Sequence, residues 1–123
     1  MQTVLIADDE HNIRHILDFS LHAEGFDVLS AHNGEDALAM AREHRPDLII
    51  LDVMMPGRGG IETCRALKED IETAGIPVIL LTARVGQADR QAGNEAGADQ
   101  YITKPFSPQK VIDTVQQLLG ARS

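Results

Sequence analysis

Short aliphatic runs alternate with amphipathic segments along the chain. The runs are almost continuously apolar, as is typical of strands buried on both faces of a sheet. They predict strands over residues 3–7, 27–31, 47–51, 76–81 and 99–103. In the intervening segments apolar residues recur every three or four positions, which predicts helices over 11–24, 35–44, 60–73, 86–96 and 108–120. Gly25, Gly75 and Gly97 follow three of these helices, where a left-handed residue commonly ends a helix.

This alternation of strand and helix predicts the fold class. Strands joined by helices form a parallel sheet with right-handed crossovers, and the helices then cover both faces. We therefore expect an α/β protein with a doubly wound, five-stranded parallel sheet. In such sheets ligands bind beyond the carboxyl ends of the strands, where the strand order reverses. Candidate functional residues should therefore directly follow the predicted strands.

Polar residues follow four of the predicted strands. They are Asp8 and Asp9 after the first strand, Asp52 after the third, Thr82 after the fourth and Lys104 after the fifth. Each type has an ordinary structural interpretation when taken alone: aspartate as a helix cap or turn residue, threonine as a strand end, lysine as surface charge. Together they favour a functional site, because three neighbouring carboxylates repel one another unless a cation is present.

The chemistry of these side chains indicates magnesium and a phosphoryl group. Mg²⁺ prefers oxygen ligands, whereas zinc would favour His or Cys. With the ion held by Asp9 and Asp52, a free oxygen of Asp52 can attack phosphorus, as carboxylate nucleophiles do. Phosphoryl transfer needs positioning and charge neutralisation, for which Lys104 and the Thr82 hydroxyl are available, and the small Ala83 leaves room.

Composition and charge exclude several classes of function. The chain has 123 residues, 43% of them hydrophobic, as expected of one globular domain over residues 1–123. Its net charge of −8 argues against direct binding of nucleic acid or anionic membranes. The single cysteine, Cys64, excludes an internal disulfide, and its place on an apolar helix stripe predicts a buried thiol. Asp8 interrupts the only early apolar run, so no signal peptide is expected and a cytoplasmic location is the default.

Four motifs carry a family resemblance. They are DDE at 8–10, LIILDVMMP at 48–56, LLTAR at 80–84 and YITKPFSP at 101–108. With these motifs in this order, the chain resembles the receiver domain of bacterial two-component response regulators. The resemblance implies a flavodoxin-like sheet of strand order 2-1-3-4-5. It also implies a signalling switch that accepts a phosphoryl group from the phosphohistidine of a sensor histidine kinase or phosphotransfer protein. Such a protein catalyses only its own Mg²⁺-dependent phosphorylation and dephosphorylation.

The resemblance assigns roles to the residues of the site. It implies that Asp52 is the phosphoacceptor and that Asp9 binds Mg²⁺ directly. The backbone carbonyl of Met54 would also bind the ion, and Asp8 would bind it through water. The loop that follows departs from the usual pattern, because Gly59 stands where an aspartate commonly caps the third helix.

The resemblance also implies a conformational response. Thr82 and Lys104 would sense the phosphoryl group, and Tyr101 would be the switch residue whose ring turns inward once Thr82 moves. The Lys104–Pro105 peptide bond is expected to be cis, with the ammonium directed into the site. The alternative for Tyr101 is an amphipathic edge-strand residue with its hydroxyl in water.

A docking surface for the kinase is expected on the first helix and the loop after the fifth strand. Its residues are His11, Asn12, His15, Phe19, Phe106 and Pro108, and an exposed Phe19 would support the hypothesis. His11, His15 and His22 also align with Asp18 on one side of that helix, opposite its apolar stripe. A solvated helix face is favoured there, and a metal site is the alternative.

The output of the switch has two interpretations. The chain ends soon after the last predicted helix, which favours a single-domain regulator acting on another protein through the fourth helix, fifth strand and fifth helix. An isolated receiver domain of a DNA-binding regulator is the alternative. Dimers in this family usually form by pairing opposite charges on that surface. This chain has Gln100, Lys110 and Thr114 at the pairing positions, so the usual charge pairs are not expected there. A monomer or weak homodimer is therefore expected.

Two other classes of function have less support. An aspartyl phosphatase usually has a second aspartate two residues after the nucleophile, where this chain has Met54. A phosphate-independent interaction module would not need the acidic, hydroxyl and ammonium groups that follow the strands. Their presence together favours the phosphorylated switch.

Overall fold

The computed structural model describes residues 2–55, 57–83 and 94–120. The strands are Thr3–Ala7 (β1), Asp27–Ala31 (β2), Leu48–Asp52 (β3), Val78–Thr82 (β4) and Gln100–Thr103 (β5). The helices are His11–Ala23 (α1), Gly34–His44 (α2), Gly60–Glu69 (α3) and Pro108–Leu118, here called the C-terminal helix. Most of the helix expected over 86–96 lies outside the described residues, and a helical turn covers 94–96.

The strands match the predicted runs, with corrections at their ends. β3 and β4 each extend one residue beyond the expected strand, so Asp52 and Thr82 are the last strand residues rather than the first residues after them. The Val53 N–H donates to the Leu81 carbonyl at 2.9 Å, so sheet hydrogen bonding continues to the end of β3.

The helix ends also need correction. α3 ends at Glu69, before the expected residue 73, because Asp70 adopts an extended conformation. The Asp70 carboxylate accepts a hydrogen bond from the Glu72 N–H at 3.0 Å, and such local bonds compete with helix continuation. Gly75 therefore does not end a helix in the left-handed conformation, whereas Gly25 and Gly97 do. None of the helices in the described part of the chain is long and apolar enough to cross a bilayer.

The sheet is parallel throughout, in the order β2-β1-β3-β4-β5. This order confirms the doubly wound, flavodoxin-like fold. Ala7 pairs with Leu51, and Thr82 pairs with Thr103, so the carboxyl ends of the strands are nearly level. The residues at these ends therefore meet at one edge of the sheet.

Two apolar clusters cover the two faces of the sheet. The first cluster joins the strands to α2 and α3 through side chains such as Leu38 and Cys64. The second cluster joins them to α1 and the C-terminal helix through side chains such as Leu17 and Val111. Successive strand residues point to opposite faces, so each strand contributes to both clusters. Helices cover both faces, as predicted.

Thr114 does not lie on the exposed surface of the C-terminal helix, contrary to the expectation that it occupies a charge-pairing position there. Its side chain is buried, and its hydroxyl donates to the Lys110 carbonyl at 2.8 Å. It lies three residues after Val111, on the helix face that packs against the second cluster. Thr114 therefore does not occupy a charge-pairing position on the surface.

The start of α3 packs closely against the end of β3. Gly59 is the N-cap, as expected, and a Cβ on Gly60 would overlap the backbone carbonyl oxygen of Asp52. We expect Gly60→Ala to lower the free energy of unfolding by about 1–3 kcal/mol, the usual cost of overpacking. Urea denaturation measures this. Gly75→Ala is the control, because a Cβ there meets no atom within 4 Å. Equal effects of the two substitutions would contradict the close packing.

Candidate functional site

Four strands bring the predicted polar residues to one edge of the sheet. Asp52 ends β3 and Thr82 ends β4, whereas Asp8 directly follows β1 and Lys104 directly follows β5. β1 and β3 are adjacent and level, so Asp8 and Asp52 are neighbours. The aliphatic strands are buried and thus fix the backbones from which these side chains project.

The Lys104 ammonium contacts three carboxylates. Its Nζ lies 3.2 Å from Oδ2 of Asp8, 3.2 Å from Oδ2 of Asp52 and 3.4 Å from Oε1 of Glu10. The Asp8 side chain is fully buried and that of Asp52 is 5% exposed, whereas that of Glu10 is 60% exposed. Two desolvated carboxylates therefore face the ammonium, and a third approaches it from the solvent side.

Backbone hydrogen bonds orient the two buried aspartates. Oδ1 of Asp8 accepts from the Glu10 N–H at 2.9 Å, and Oδ1 of Asp52 accepts from the Met54 N–H at 3.2 Å. In addition, Arg14 Nη1 donates to the Asp8 carbonyl at 2.6 Å. Because the Oδ1 atoms are held by the backbone, the Oδ2 atoms face Lys104.

The donor set of this cluster fits a magnesium ion. One carboxylate oxygen from each of Asp8, Glu10 and Asp52 lies within 4.8 Å of the other two. All three are hard oxygen donors, which suit Mg²⁺, and the group contains none of the His or Cys ligands that favour zinc. The carboxylates and the ammonium together can hold a divalent cation and an anionic phosphoryl group.

Glu10 is the member of the cluster that the sequence reasoning missed. The chain bends at Asp9, and the Glu10 N–H donates to the Asp8 carboxylate across this bend, which brings the Glu10 side chain to the cluster. The third acidic residue of the DDE motif, directly after β1, was the signal that could have indicated Glu10. Asp9 is exposed and is not part of the oxygen group, and its role as a direct metal ligand stays a prediction.

Burial and charge shift the pKa values in the cluster. Desolvation, and then the neighbouring Asp8 carboxylate, raise the pKa of Asp52 from its ordinary 3.8 to about 6, despite the opposing effect of Lys104. Burial by itself lowers the pKa of Lys104, but the carboxylates of Asp52 and Asp8 raise that pKa by more. Lys104 therefore stays protonated at neutral pH, whereas ionised Asp52 is destabilised.

The raised pKa of Asp52 makes the stability of the metal-free protein depend on pH. The folded state binds this proton more tightly than the unfolded state. The resulting stabilisation is fully present below pH 3.8 and is lost as the pH rises through about 6. We expect the stability of Asp52→Asn relative to wild type to increase over that interval, measured by urea denaturation in EDTA. A constant or decreasing difference would contradict the shifted pKa.

The residues predicted to form the switch lie beside this cluster. Thr82 is buried, and its carbonyl accepts from the Lys104 N–H at 2.7 Å. The Lys104–Pro105 peptide bond is cis, as expected. Tyr101 is half-buried and packs against the first cluster, and its hydroxyl donates to Oδ1 of Asn94 at 3.0 Å. The hydroxyl therefore contacts a side chain that no motif indicated.

Four of the six expected docking residues line two separate depressions. A groove of about 410 Å³ between α1 and the loop after β5 is lined by Glu10, Ile13, Ile16, Ala83, Lys104, Pro105, Phe106 and Pro108. A second depression, on the outer side of α1, is lined by His15, Asp18, Phe19, His22 and Ala23. Phe19 is 73% exposed, as the docking hypothesis requires. His11 and Asn12 are exposed at the start of α1 but line neither depression.

The histidine face of α1 is exposed to solvent, as favoured by its sequence. The rings of His11 and His15 are stacked, with centroids 6.3 Å apart, and His22 is exposed. Within the described residues, these histidines and Asp18 do not form a group of three metal-binding side chains. The exposure of these side chains agrees with the solvated face, and the metal site stays the untested alternative.

Comparisons with known proteins agree with this arrangement. Residues 4–116 match the family model described as response regulator receiver domain. Chemotaxis protein CheY4 of Vibrio cholerae is 34% identical over 95% of this chain and 98% of its own chain, with a TM-score of 0.91. A putative response regulator from Chloroflexus aurantiacus is 36% identical over 98% of each chain, with a TM-score of 0.91. The receiver domain of a sensor histidine kinase from Pseudomonas aeruginosa, with a magnesium ion coordinated in its active-site cleft, is 27% identical over 97% of this chain and 98% of its own, with a TM-score of 0.89.

Proposed function

Because the chain belongs to the response regulator receiver domain family, we propose that it is a phosphorylation-controlled switch whose Asp52 accepts a phosphoryl group. The donor is the phosphohistidine of a sensor histidine kinase or phosphotransfer protein. One observation carries the proposal: the buried Asp52 carboxylate lies 3.2 Å from the Lys104 ammonium, within an oxygen cluster that fits Mg²⁺. Receiver domains are signalling proteins, and this chain would catalyse only its own phosphorylation and dephosphorylation.

The residues of the site have separate roles in this reaction. An oxygen of Asp52 forms a bond to phosphorus while the P–N bond of the phosphohistidine breaks, and the electron pair stays on the imidazole nitrogen. The Lys104 ammonium neutralises charge on the oxygens of the transferred group. Buried Thr82, at the end of the adjacent strand, offers its hydroxyl to another oxygen. Bound Mg²⁺ supplies further positive charge to the phosphoryl oxygens.

The metal ligands are assigned as the family resemblance implies. Asp9, Asp52 and the Met54 backbone carbonyl hold Mg²⁺ directly, and Asp8 holds it through water. Asp8 and Asp52 both belong to the oxygen group, which supports their assignment as residues that bind the ion. The Met54 N–H bond to Asp52 keeps that residue beside the site. Glu10 belongs to the same oxygen group and is available as an additional partner of the ion or its waters.

The response to phosphorylation passes through Thr82 and Tyr101. Thr82 moves towards the phosphoryl group, and the Tyr101 ring turns inward. A downstream protein then binds the surface of β5, the C-terminal helix and the helix predicted over residues 86–96, according to its differential affinity for the two states. We propose that the regulator is cytoplasmic and is a monomer or weak homodimer. An isolated receiver domain of a DNA-binding regulator is the second candidate.

The kinase or phosphotransfer protein docks beside the reacting residue. The groove between α1 and the loop after β5 supports this, because its lining includes apolar Phe106 and Pro108 together with Lys104 of the reaction site. Exposed Phe19, with His15, extends the contact along α1, and His11 and Asn12 extend it towards Asp9. A partner bound there would deliver its phosphohistidine close to Asp52.

Intact-mass spectrometry tests the proposal. We expect the folded protein to gain one phosphoryl group from acetyl phosphate in the presence of Mg²⁺ and none in EDTA. A phosphorylated phosphotransfer protein serves as a second donor, in case the small donor reacts slowly. Absence of an adduct with both donors and Mg²⁺ would leave the phosphate-independent interaction module as the function.

A further inference from the structure

We propose that Asn94 is a positioning residue for Tyr101. Asn94 holds the Tyr101 ring in the position that it has in the unphosphorylated protein. The inference rests on the proposed function, because it concerns the switch residue of that function. It is carried by the hydrogen bond that the Tyr101 hydroxyl donates to Oδ1 of Asn94 at 3.0 Å. Asn94 lies seven residues before Tyr101 and outside the four sequence motifs.

Asn94 stands on a turn that is anchored to the protein interior. Ala96, two residues later, is buried in the first cluster, and its carbonyl accepts a hydrogen bond from the Cys64 thiol at 3.6 Å. The Gly97 N–H donates to the Asn94 carbonyl at 3.1 Å and closes the turn. Because this turn already fixes the backbone of Asn94, only its side-chain rotamers are restricted when Oδ1 accepts from the Tyr101 hydroxyl.

The position of Tyr101 on the sheet explains why this bond opposes the switch. Tyr101 pairs with Leu80, and Thr82 is two residues beyond Leu80 on the same strand. Alternate strand residues share a face, so Thr82 and Tyr101 lie on one face of the sheet. An inward turn of the ring towards the space vacated by Thr82 moves the hydroxyl relative to Asn94. One such hydrogen bond biases the ratio of ring positions by about two- to tenfold.

The fluorescence of Tyr101 reports its position directly, because the chain contains one tyrosine and no tryptophan. We compare acrylamide quenching of wild type, before and after phosphorylation by acetyl phosphate, with that of three variants. Asn94→Ala should shift the quenching constant of the unphosphorylated protein towards that of phosphorylated wild type. Asn94→Asp keeps an acceptor oxygen and should retain the wild-type value. Glu95→Ala alters the adjacent exposed residue of the same turn and should also retain it.

The outcomes separate this inference from the proposed function. An unchanged quenching constant for Asn94→Ala, a shift away from the phosphorylated value, or an equal shift for Glu95→Ala would overturn the role of Asn94. Phosphoryl uptake is measured by intact mass in the same samples. If wild type gains no phosphoryl group, the proposed function fails. The quenching constants of Asn94→Ala and Asn94→Asp then still decide whether the hydrogen bond positions Tyr101. Equal constants for the two variants would overturn the role of Asn94.

Discussion

Asp52→Asn is expected to abolish phosphoryl uptake from acetyl phosphate, because an amide cannot act as the carboxylate nucleophile. Intact-mass spectrometry in the presence of Mg²⁺ measures the loss. Asp113→Asn is the matched control, since it removes the same charge from an exposed position on the C-terminal helix. Asp113→Asn should gain one phosphoryl group, as wild type does. An undiminished adduct on Asp52→Asn would place the phosphoryl group on another residue.

Asp52→Asn is expected to stabilise the metal-free protein, although it abolishes phosphoryl uptake. The pKa of Asp52 is raised to about 6, so its ionised form is less stable in the folded protein than in the unfolded chain. Removing that charge should raise the free energy of unfolding of the metal-free protein by about 1–3 kcal/mol at neutral pH. Mg²⁺ should reduce this advantage, because the ion compensates the carboxylates of wild type. Loss of stability in EDTA would contradict the electrostatic argument.

Lys104→Met is expected to destabilise the metal-free protein strongly. The substitution leaves the buried carboxylates of Asp8 and Asp52 without their ammonium partner. Removing one member of a buried ion pair is costly, and proton uptake by Asp52 relieves part of that cost. We therefore expect a loss of about 2–4 kcal/mol at neutral pH. Urea denaturation in EDTA measures it.

Addition of Mg²⁺ should restore part of the stability lost in Lys104→Met, because the ion neutralises the carboxylates in place of the missing ammonium. The stabilisation by Mg²⁺ should therefore be larger in the variant than in wild type. Lys110→Met, on the exposed side of the C-terminal helix, controls for loss of a lysine and should behave as wild type. Equal stability of wild type and Lys104→Met in EDTA would show that the ammonium does not hold the cluster together.

The fold could be predicted because its determinants are local in the sequence. The run from Leu48 to Leu51 is apolar at every position, which requires burial on both faces, and the amphipathic segments beside it provide the covering helices. Parallel strands then place residues such as Asp52, Thr82 and Lys104 at one edge. The juxtaposition of Asp8, Asp52 and Lys104 follows from these steps, without any knowledge of side-chain positions.

The remaining features depend on side-chain directions and tertiary contacts that a linear pattern does not contain. Glu10 joins the cluster because the backbone bends at Asp9, where the Asp8 carboxylate accepts from the Glu10 N–H. α3 stops early because the Asp70 carboxylate binds a neighbouring N–H. Thr114 is buried because its helix face packs on the sheet, although its residue type is compatible with a surface position. The contact between Asn94 and Tyr101 joins two residues whose approach requires the folded turn between them.

The division of the core into two clusters has a consequence for assembly. Tyr101 packs on the face covered by α2 and α3, whereas Phe106, in the groove beside α1, packs on the opposite face. The C-terminal helix also packs on that opposite face, and its first residue, Pro108, lines the groove. A target that binds both β5 and the C-terminal helix would therefore extend to the edge of the groove. The donor protein and the target would compete for that edge, so the donor would have to leave before the target could bind in full.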